Sequence, residues 1–168
     1  LWSITADGGI ETQLTEEPGD ASYPAVSADG LVAYSHERAG GWSVRVLGRD
    51  GASAVVHDGL RPLTAPSWRP GGGVIVFGEQ DSVHTSRLWL LIRSEPQVIK
   101  PLSVGEDLFA GRVAWVSGAE FVYAADGQLW RRGIAHPVRY PIHLFAAAAV
   151  EVTVAVVTAR AGGLSAAR

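Results

Sequence analysis

Apolar residues along this chain gather in short runs, Leu31-Val32-Ala33-Tyr34, Val74-Ile75-Val76-Phe77 and Phe121-Val122-Tyr123, each bounded by glycine, proline or aspartate. β-Branched and aromatic residues suit a pleated surface, and runs this short cannot sustain a helix, so each is predicted to be a strand. The turns ahead of them are Ala28-Asp29-Gly30, Pro70-Gly71-Gly72-Gly73 and Ser117-Gly118-Ala119, where glycine supplies the positive φ of a tight hairpin. Asp7-Gly8-Gly9, Asp50-Gly51 and Asp126-Gly127 mark further hairpins. A sustained 3.6-residue apolar period is lacking, and only Phe145 to Val150 admits a helical spacing.

The runs repeat. Val26, Trp68 and Trp115 each lead, eight or nine residues later, to Tyr34, Phe77 and Tyr123, and the leading positions are 42 and 47 residues apart. A second landmark, an apolar-led strand entering a polar stretch, recurs at Leu1-Trp2, Val44-Arg45, Leu88-Trp89 and Leu129-Trp130, with spacings of 43, 44 and 41. Periods of this length are those of propeller blades, small sheets that cannot bury a core alone and must stack on their neighbours. The expected fold is therefore all-β, a partial β-propeller of about three to four blades of short antiparallel strands. Blades should occupy residues 1–145, the first one incomplete, since Leu1-Trp2-Ser3-Ile4 reads as the middle of a strand. Residues 146–168 should be a terminal strand or the start of a following domain, with Val150-Glu151-Val152-Thr153-Val154 alternating like a strand seeking a partner. A closed ring of six or seven blades needs about 260 to 300 residues at this period, so an open arc with bare edges is expected, prone to association.

Composition narrows the partners. A net charge of −3 and a pI near 5.9 give no basic surplus to neutralise phosphates, so nucleic acid is not expected. With no cysteine, thiol chemistry and disulfides are excluded, while the redox compartment stays open. The longest apolar stretch, Leu144 to Val157, is broken by Glu151 and Thr153 and is shorter than the ~20 residues that span a bilayer, so membrane insertion is not expected. One lysine against 13 arginines, with no methionine or asparagine, fits a GC-rich bacterial genome.

Tyr23-Pro24-Ala25-Val26-Ser27-Ala28-Asp29-Gly30-Leu31-Val32-Ala33-Tyr34 resembles the repeat of TolB-like propellers, and Pro66 to Phe77 is a second copy. Val26, Ala28 and Gly71 depart from the Trp, Pro and Asp of that repeat, and a third copy, Val113 to Tyr123, keeps Trp115, Ser117 and the strand. More narrowly, Gly105-Glu106-Asp107-Leu108-Phe109 through Arg112, Trp115 and Phe121 to Arg131-Arg132 is similar to the last blade of propellers that precede bacterial amidohydrolase domains. Phe145-Ala146-Ala147 would then correspond to the segment leading into the hydrolase. The resemblance implies a non-catalytic propeller of a larger hydrolase, docking on and gating its catalytic domain. It also leaves open a TolB-like protein-binding propeller, or the propeller of a prolyl-oligopeptidase-like peptidase, and implies a periplasmic or secreted setting.

Candidate chemistry is sparse, and no catalytic, cofactor-binding or metal-binding residue is assigned. An amidohydrolase metal site needs a His-x-His pair, whose alternate side chains share a strand face. His36, His57, His84, His136 and His143 are scattered and read as surface or loop residues. Gly41-Trp42-Ser43-Val44-Arg45 only partly fits a nucleophile elbow, so Ser43 reads as a strand residue, and Gly71-Gly72-Gly73 as a hairpin turn rather than a phosphate loop. The six tryptophans, Trp2, Trp42, Trp68, Trp89, Trp115 and Trp130, are expected to pack between blades rather than to line a ligand site. Glu16-Glu17 with Asp20, and Glu106-Asp107, read as solvated loop charges. Arg131-Arg132 with Arg139 read as charges blunting an exposed strand edge.

Overall fold

The computed structural model describes residues 1–81, 85–136 and 138–143, and every regular element among them is a β-strand. Strands β1 (Trp2–Ile4) and β2 (Glu11–Gln13) form a lone antiparallel hairpin. Three four-stranded antiparallel sheets follow in chain order. The first, blade 1, holds β3 (Asp20–Val26), β4 (Val32–Arg38), β5 (Gly41–Leu47) and β6 (Ser53–Gly59). Blade 2 holds β7 (Ser67–Trp68), β8 (Val74–Gln80), β9 (Ser86–Ile92) and β10 (Val98–Glu106). Blade 3 holds β11 (Ala114–Trp115), β12 (Glu120–Ala125), β13 (Gln128–Gly133) and β14 (Arg139–Ile142). This is the partial propeller anticipated from the repeat. The strand proposed for Val150–Val154, the helical spacing at Phe145–Val150, the Phe145-Ala146-Ala147 segment and His84 lie outside the described residues.

Both landmarks fall on equivalent places. Val26, Trp68 and Trp115 end the first strand of their blades and pair with Val32, Ile75 and Phe121, each two residues before the buried aromatic Tyr34, Phe77 or Tyr123. The second landmark sits on β1, β5, β9 and β13, so the β1–β2 hairpin matches the third and fourth strands of a blade. The turns behave as their residues dictate: Asp126 and Gly127, joining β12 to β13, have φ of 51° and 70°, the two positive values of a tight two-residue hairpin.

Because successive strand residues point to opposite faces, each blade meets two neighbours with two sets of side chains. Ile75, Phe77 and Leu91 of blade 2 cluster with Ala33, Val44 and Val46 of blade 1. From the other face of blade 2, Val74, Val76, Leu88 and Leu90 cluster with Phe121 and Tyr123 of blade 3. The uninterrupted apolar run Val74–Phe77 is thus the signature of a strand covered on both sides. β12, by contrast, alternates buried and half-buried positions, since only its Phe121, Tyr123 and Ala125 face is covered.

Side chains also bond across the seams to backbone. The Trp68 indole N–H donates to the Ala25 carbonyl (3.0 Å), Ser35 Oγ to that of Thr64 (2.9 Å) and Ser67 Oγ to that of Val113 (3.0 Å). In β3 the register slips between Ser22 and Ala25, with Tyr23 at φ 56°, a bulge that takes two carbonyls out of the ladder. Arg112, just ahead of blade 3, donates to both of them, Pro24 at 2.6 Å and Tyr23 at 3.2 Å, and to the Pro66 carbonyl of the segment leading into blade 2 at 3.0 Å.

Candidate functional site

The chemistry of the described residues concentrates at the seams between blades. At the seam of blades 2 and 3, Glu106 closes β10 and is buried with Arg132 of β13. The Arg132 guanidinium donates to Glu106 Oε1 (2.7 Å), to the Leu102 carbonyl (2.5 Å) and, through Nε, to the Tyr123 hydroxyl (3.2 Å). Arg139 lies 3.5 Å from the same carboxylate oxygen, pairs with Asp126 (2.8 Å) and stacks 3.8 Å over the Trp130 ring. Burial and the adjacent Glu106 charge both oppose a phenolate, and the Tyr123 hydroxyl is pushed up to about 12. The Asp107 backbone N–H, donating to Asp126 Oδ1 at 2.9 Å, helps hold that carboxyl below its usual range.

Two sequence expectations are corrected here. Glu106 is not a solvated loop charge: it ends a nine-residue strand and is enclosed by blade 3. Arg132 does not blunt an open edge, because it lies on β13, an inner strand of its sheet, with its guanidinium buried, whereas neighbouring Arg131 points outward to Glu120 at 2.5 Å. Adjacent strand residues face opposite ways, which is how one Arg of the pair is a surface residue and the other a core residue.

A second polar seam faces the N-terminal side of blade 1. Glu17 accepts from Arg45 (3.0 Å), and the Tyr34 hydroxyl lies 2.7 Å from Ser53 Oγ and 3.4 Å from Glu17. His36 and Ser43 are directly paired across β4 and β5 on the same face. His36, expected at the surface, is 2% exposed, and neither its ring nitrogens nor Ser43 Oγ has a protein partner. It is enclosed by Gly19, at φ 116°, where an added Cβ would come 2.1 Å from the Glu37 carbonyl oxygen and 3.1 Å from His36 Nε2. Ser43 lies in mid-strand, as expected, and Gly71–Gly73 form the expected hairpin turn, with Gly72 N–H bonded to the Arg69 carbonyl at 2.9 Å.

His57 is also no surface residue. It lies half-buried on β6 with its ring 5.0 Å from Phe77 and 5.8 Å from Trp89 of blade 2, while the Trp89 indole N–H donates to Glu79 at 2.6 Å. Burial lowers its pKa, only partly offset by the negative charges of Glu79 and Asp58. The unfolded chain therefore takes up a proton near the ordinary value of 6.5 that the fold resists, and stability should fall as pH drops below it. Denaturant midpoints at pH 5.5 and 7.5 should differ more for the native protein than for His57→Leu, and equal differences would refute this assignment. His136 and His143 are exposed, as anticipated.

The tryptophans divide. Trp42, Trp68, Trp89, Trp115 and Trp130 pack in or against the seam clusters, while Trp2 is 65% exposed on the lone hairpin. An open groove of about 1040 Å³ lies on blade 3, with Leu108, Phe109, Ala124, Leu129 and Ile142 as apolar lining and Asp107 and His143 as titratable groups. Among the described residues no three His, Asp or Glu side chains converge as metal ligands.

No family model matches the chain, and no curated protein matches it. Solved structures do. TolB from Acinetobacter baumannii is similar over 85% of this chain and 37% of its own, with a TM-score of 0.69 and 15% identity. A puromycin-hydrolysing peptidase of Mycobacterium tuberculosis is similar over 74% of this chain and 23% of its own, with a TM-score of 0.62 and 13% identity. An oligogalacturonate lyase in complex with manganese is similar over 83% of this chain and 46% of its own, with a TM-score of 0.62 and 14% identity. The chain spans less than half the length of each of these structures. At such identities the likeness defines the fold: stacked four-stranded antiparallel blades of the TolB-like propeller type.

Proposed function

We propose that this chain is the non-catalytic propeller portion of a larger protein, docking beside a catalytic domain and restricting access to it. The observation that carries this reading is the commitment of the seam ion pairs and of the Tyr34 and Tyr123 hydroxyls to contacts within the fold. Glu106, Arg132, Tyr123, Glu17, Arg45 and Tyr34 spend their charges and hydroxyls fastening strand to strand and blade to blade. A side chain fixed in that way is a fastener, and a propeller held by fasteners presents a rigid frame to a neighbouring domain. The fold likeness to a peptidase, over less than a quarter of that protein, favours a hydrolase as companion. An amidohydrolase companion rests on the resemblance of Gly105 to Arg132 alone. The likeness to TolB supports a second reading, a propeller that binds a protein partner.

The purified chain, assayed with added divalent metal against amide and ester substrates, should show no turnover. Turnover lost on changing His136 or His143 would overturn the proposal. In the complete open reading frame, removing the blades should raise activity on large substrates relative to small ones, and an unchanged ratio would favour the protein-binding reading instead.

A further inference from the structure

Three arginines differ from the rest in what they meet. Among the described residues, every other arginine pairs with an aspartate or glutamate or, in Arg112, bonds to backbone carbonyls. Arg49, Arg69 and Arg93 have no carboxylate partner among those residues, and they follow β5, β7 and β9, the third strand of blade 1 and the first and third of blade 2. First and third strands of an antiparallel blade run the same way, so all three arginines emerge at one end of the stack.

They gather about the abutting hairpin turns of blades 1 and 2. Gly72 of the blade 2 turn lies against Asp29 of the blade 1 turn, where an added Cβ would stand 3.4 Å from the carboxylate. Arg49 crosses the blade 1 turn and donates Nε to the Asp29 carbonyl at 2.7 Å. That path is open because residue 30 is glycine, at φ 77°, and a Cβ there would come 2.8 Å from the same nitrogen. Arg69 opens the blade 2 turn, with Nη2 3.8 Å from where a Cβ on Gly73 would sit. The Arg93 N–H donates to the Gly73 carbonyl at 2.9 Å, and its guanidinium lies 5.8 Å over the Trp68 ring. Backbone and ring thus position Arg49 and Arg93 while leaving their terminal N–H donors exposed and free. The one carboxylate among them, Asp29, is engaged: Ser27 Oγ donates to it at 2.6 Å, which, with the charges of Arg93 and Arg49, keeps the carboxyl below its ordinary range. Asp50, beside Arg49, caps its own turn through the Ala52 N–H at 3.1 Å.

We propose that this end of blades 1 and 2 is a docking surface for an acidic polypeptide segment, whose Asp or Glu side chains supply the carboxylates that Arg49, Arg69 and Arg93 lack. The proposal rests on the docking reading and deepens it, naming where the neighbour is held and by what chemistry. Guanidinium forks match carboxylates in two-point pairs, and forks already held in place lose less freedom on pairing. Separate carboxylates reach the cluster while clearing Asp50 and Glu95. A polyanion of continuous charge, such as nucleic acid or an anionic membrane, is repelled by those two groups and by the chain's net charge of −3.

A dansylated hexaglutamate peptide titrated into the purified chain at low salt should bind saturably, and less tightly as salt rises. Arg49→Gln combined with Arg93→Gln should weaken binding about tenfold or more. Arg38→Gln with Arg61→Gln makes the same change of net charge on paired arginines at the opposite end of the stack, and should alter binding by less than about twofold. Asp29→Asn keeps an acceptor for Ser27 and should tighten binding about threefold, a gain that a misfolded variant would not give. Absence of saturable binding, or equal weakening by the two arginine pairs, overturns the proposal. So does displacement of the peptide by inorganic phosphate at concentrations where acetate has no effect, which would assign the cluster to phosphate. The activity ratio of the complete protein with and without its blades tests docking separately, so the two readings fail by different measurements.

Discussion

Replacing Arg132 with methionine is expected to destabilise the protein by about 3–5 kcal/mol, because it strands a buried carboxylate without its principal partner. Glu106 and Arg132 are both buried, and the guanidinium serves three acceptors at once, Glu106, the Leu102 carbonyl and the Tyr123 hydroxyl. Arg139 is not a substitute: it is 3.5 Å from Glu106 and anchored at 2.8 Å to Asp126. Urea unfolding of the native protein and of Arg132→Met measures the loss directly. Adding Glu106→Leu should return most of it, since removing both ions leaves no orphaned charge. A loss below about 1 kcal/mol for the single variant would mean that the carboxylate finds water where the structure shows protein.

Trp68→Ala should cost a similar amount, about 3–5 kcal/mol, through the cavity it opens between blades 1 and 2. Trp68 is buried in the cluster with Ala25, Val44 and Phe77, and its indole N–H is the bond to the Ala25 carbonyl. Trp68→Phe keeps most of the packing and should lose about 1–2 kcal/mol, chiefly from leaving that carbonyl unpaired. The comparison that decides the matter is Trp115→Ala. Trp115 holds the equivalent place in blade 3, but it is only half-buried and its N–H has no partner, so its loss should be clearly smaller. Equal midpoint shifts for Trp68→Ala and Trp115→Ala in denaturant would contradict the seam assignment.

The blades were legible in the sequence because strand, turn and repeat each leave a local mark. Val74-Ile75-Val76-Phe77 announces a strand, Gly71–Gly73 its turn, and Trp68 and Trp115 the phase of the repeat. What escaped is chemistry assembled from distant positions. Glu106 beside Asp107 reads as a loop charge, and Arg132 beside Arg131 as an edge charge, until β10 and β13 bring residues 26 apart to 2.7 Å. A usable hint existed in Arg131-Arg132 itself, since adjacent strand residues cannot both face water where a sheet is covered. His36 and His57 were misplaced for a related reason. Histidine has no fixed preference for surface or core, and only the enclosure of His36 by Gly19 and the stacking of His57 on Phe77 decide their burial. The exposed Trp2 is the converse, a residue at a packing position of the repeat that stands largely exposed on the lone hairpin.

Arg112 has a consequence for how this stack comes apart. In arrays of repeated units, stability is to good approximation the sum of each unit and its contacts with immediate neighbours, and such arrays can peel from one end. Arg112 breaks that rule by linking next-nearest units, since it precedes blade 3 yet holds the two carbonyls of the β3 bulge in blade 1. Loosening blade 1 or freeing the segment that enters blade 3 therefore costs the same contact, which couples the opening of the outer sheets beyond what contacts between immediate neighbours supply.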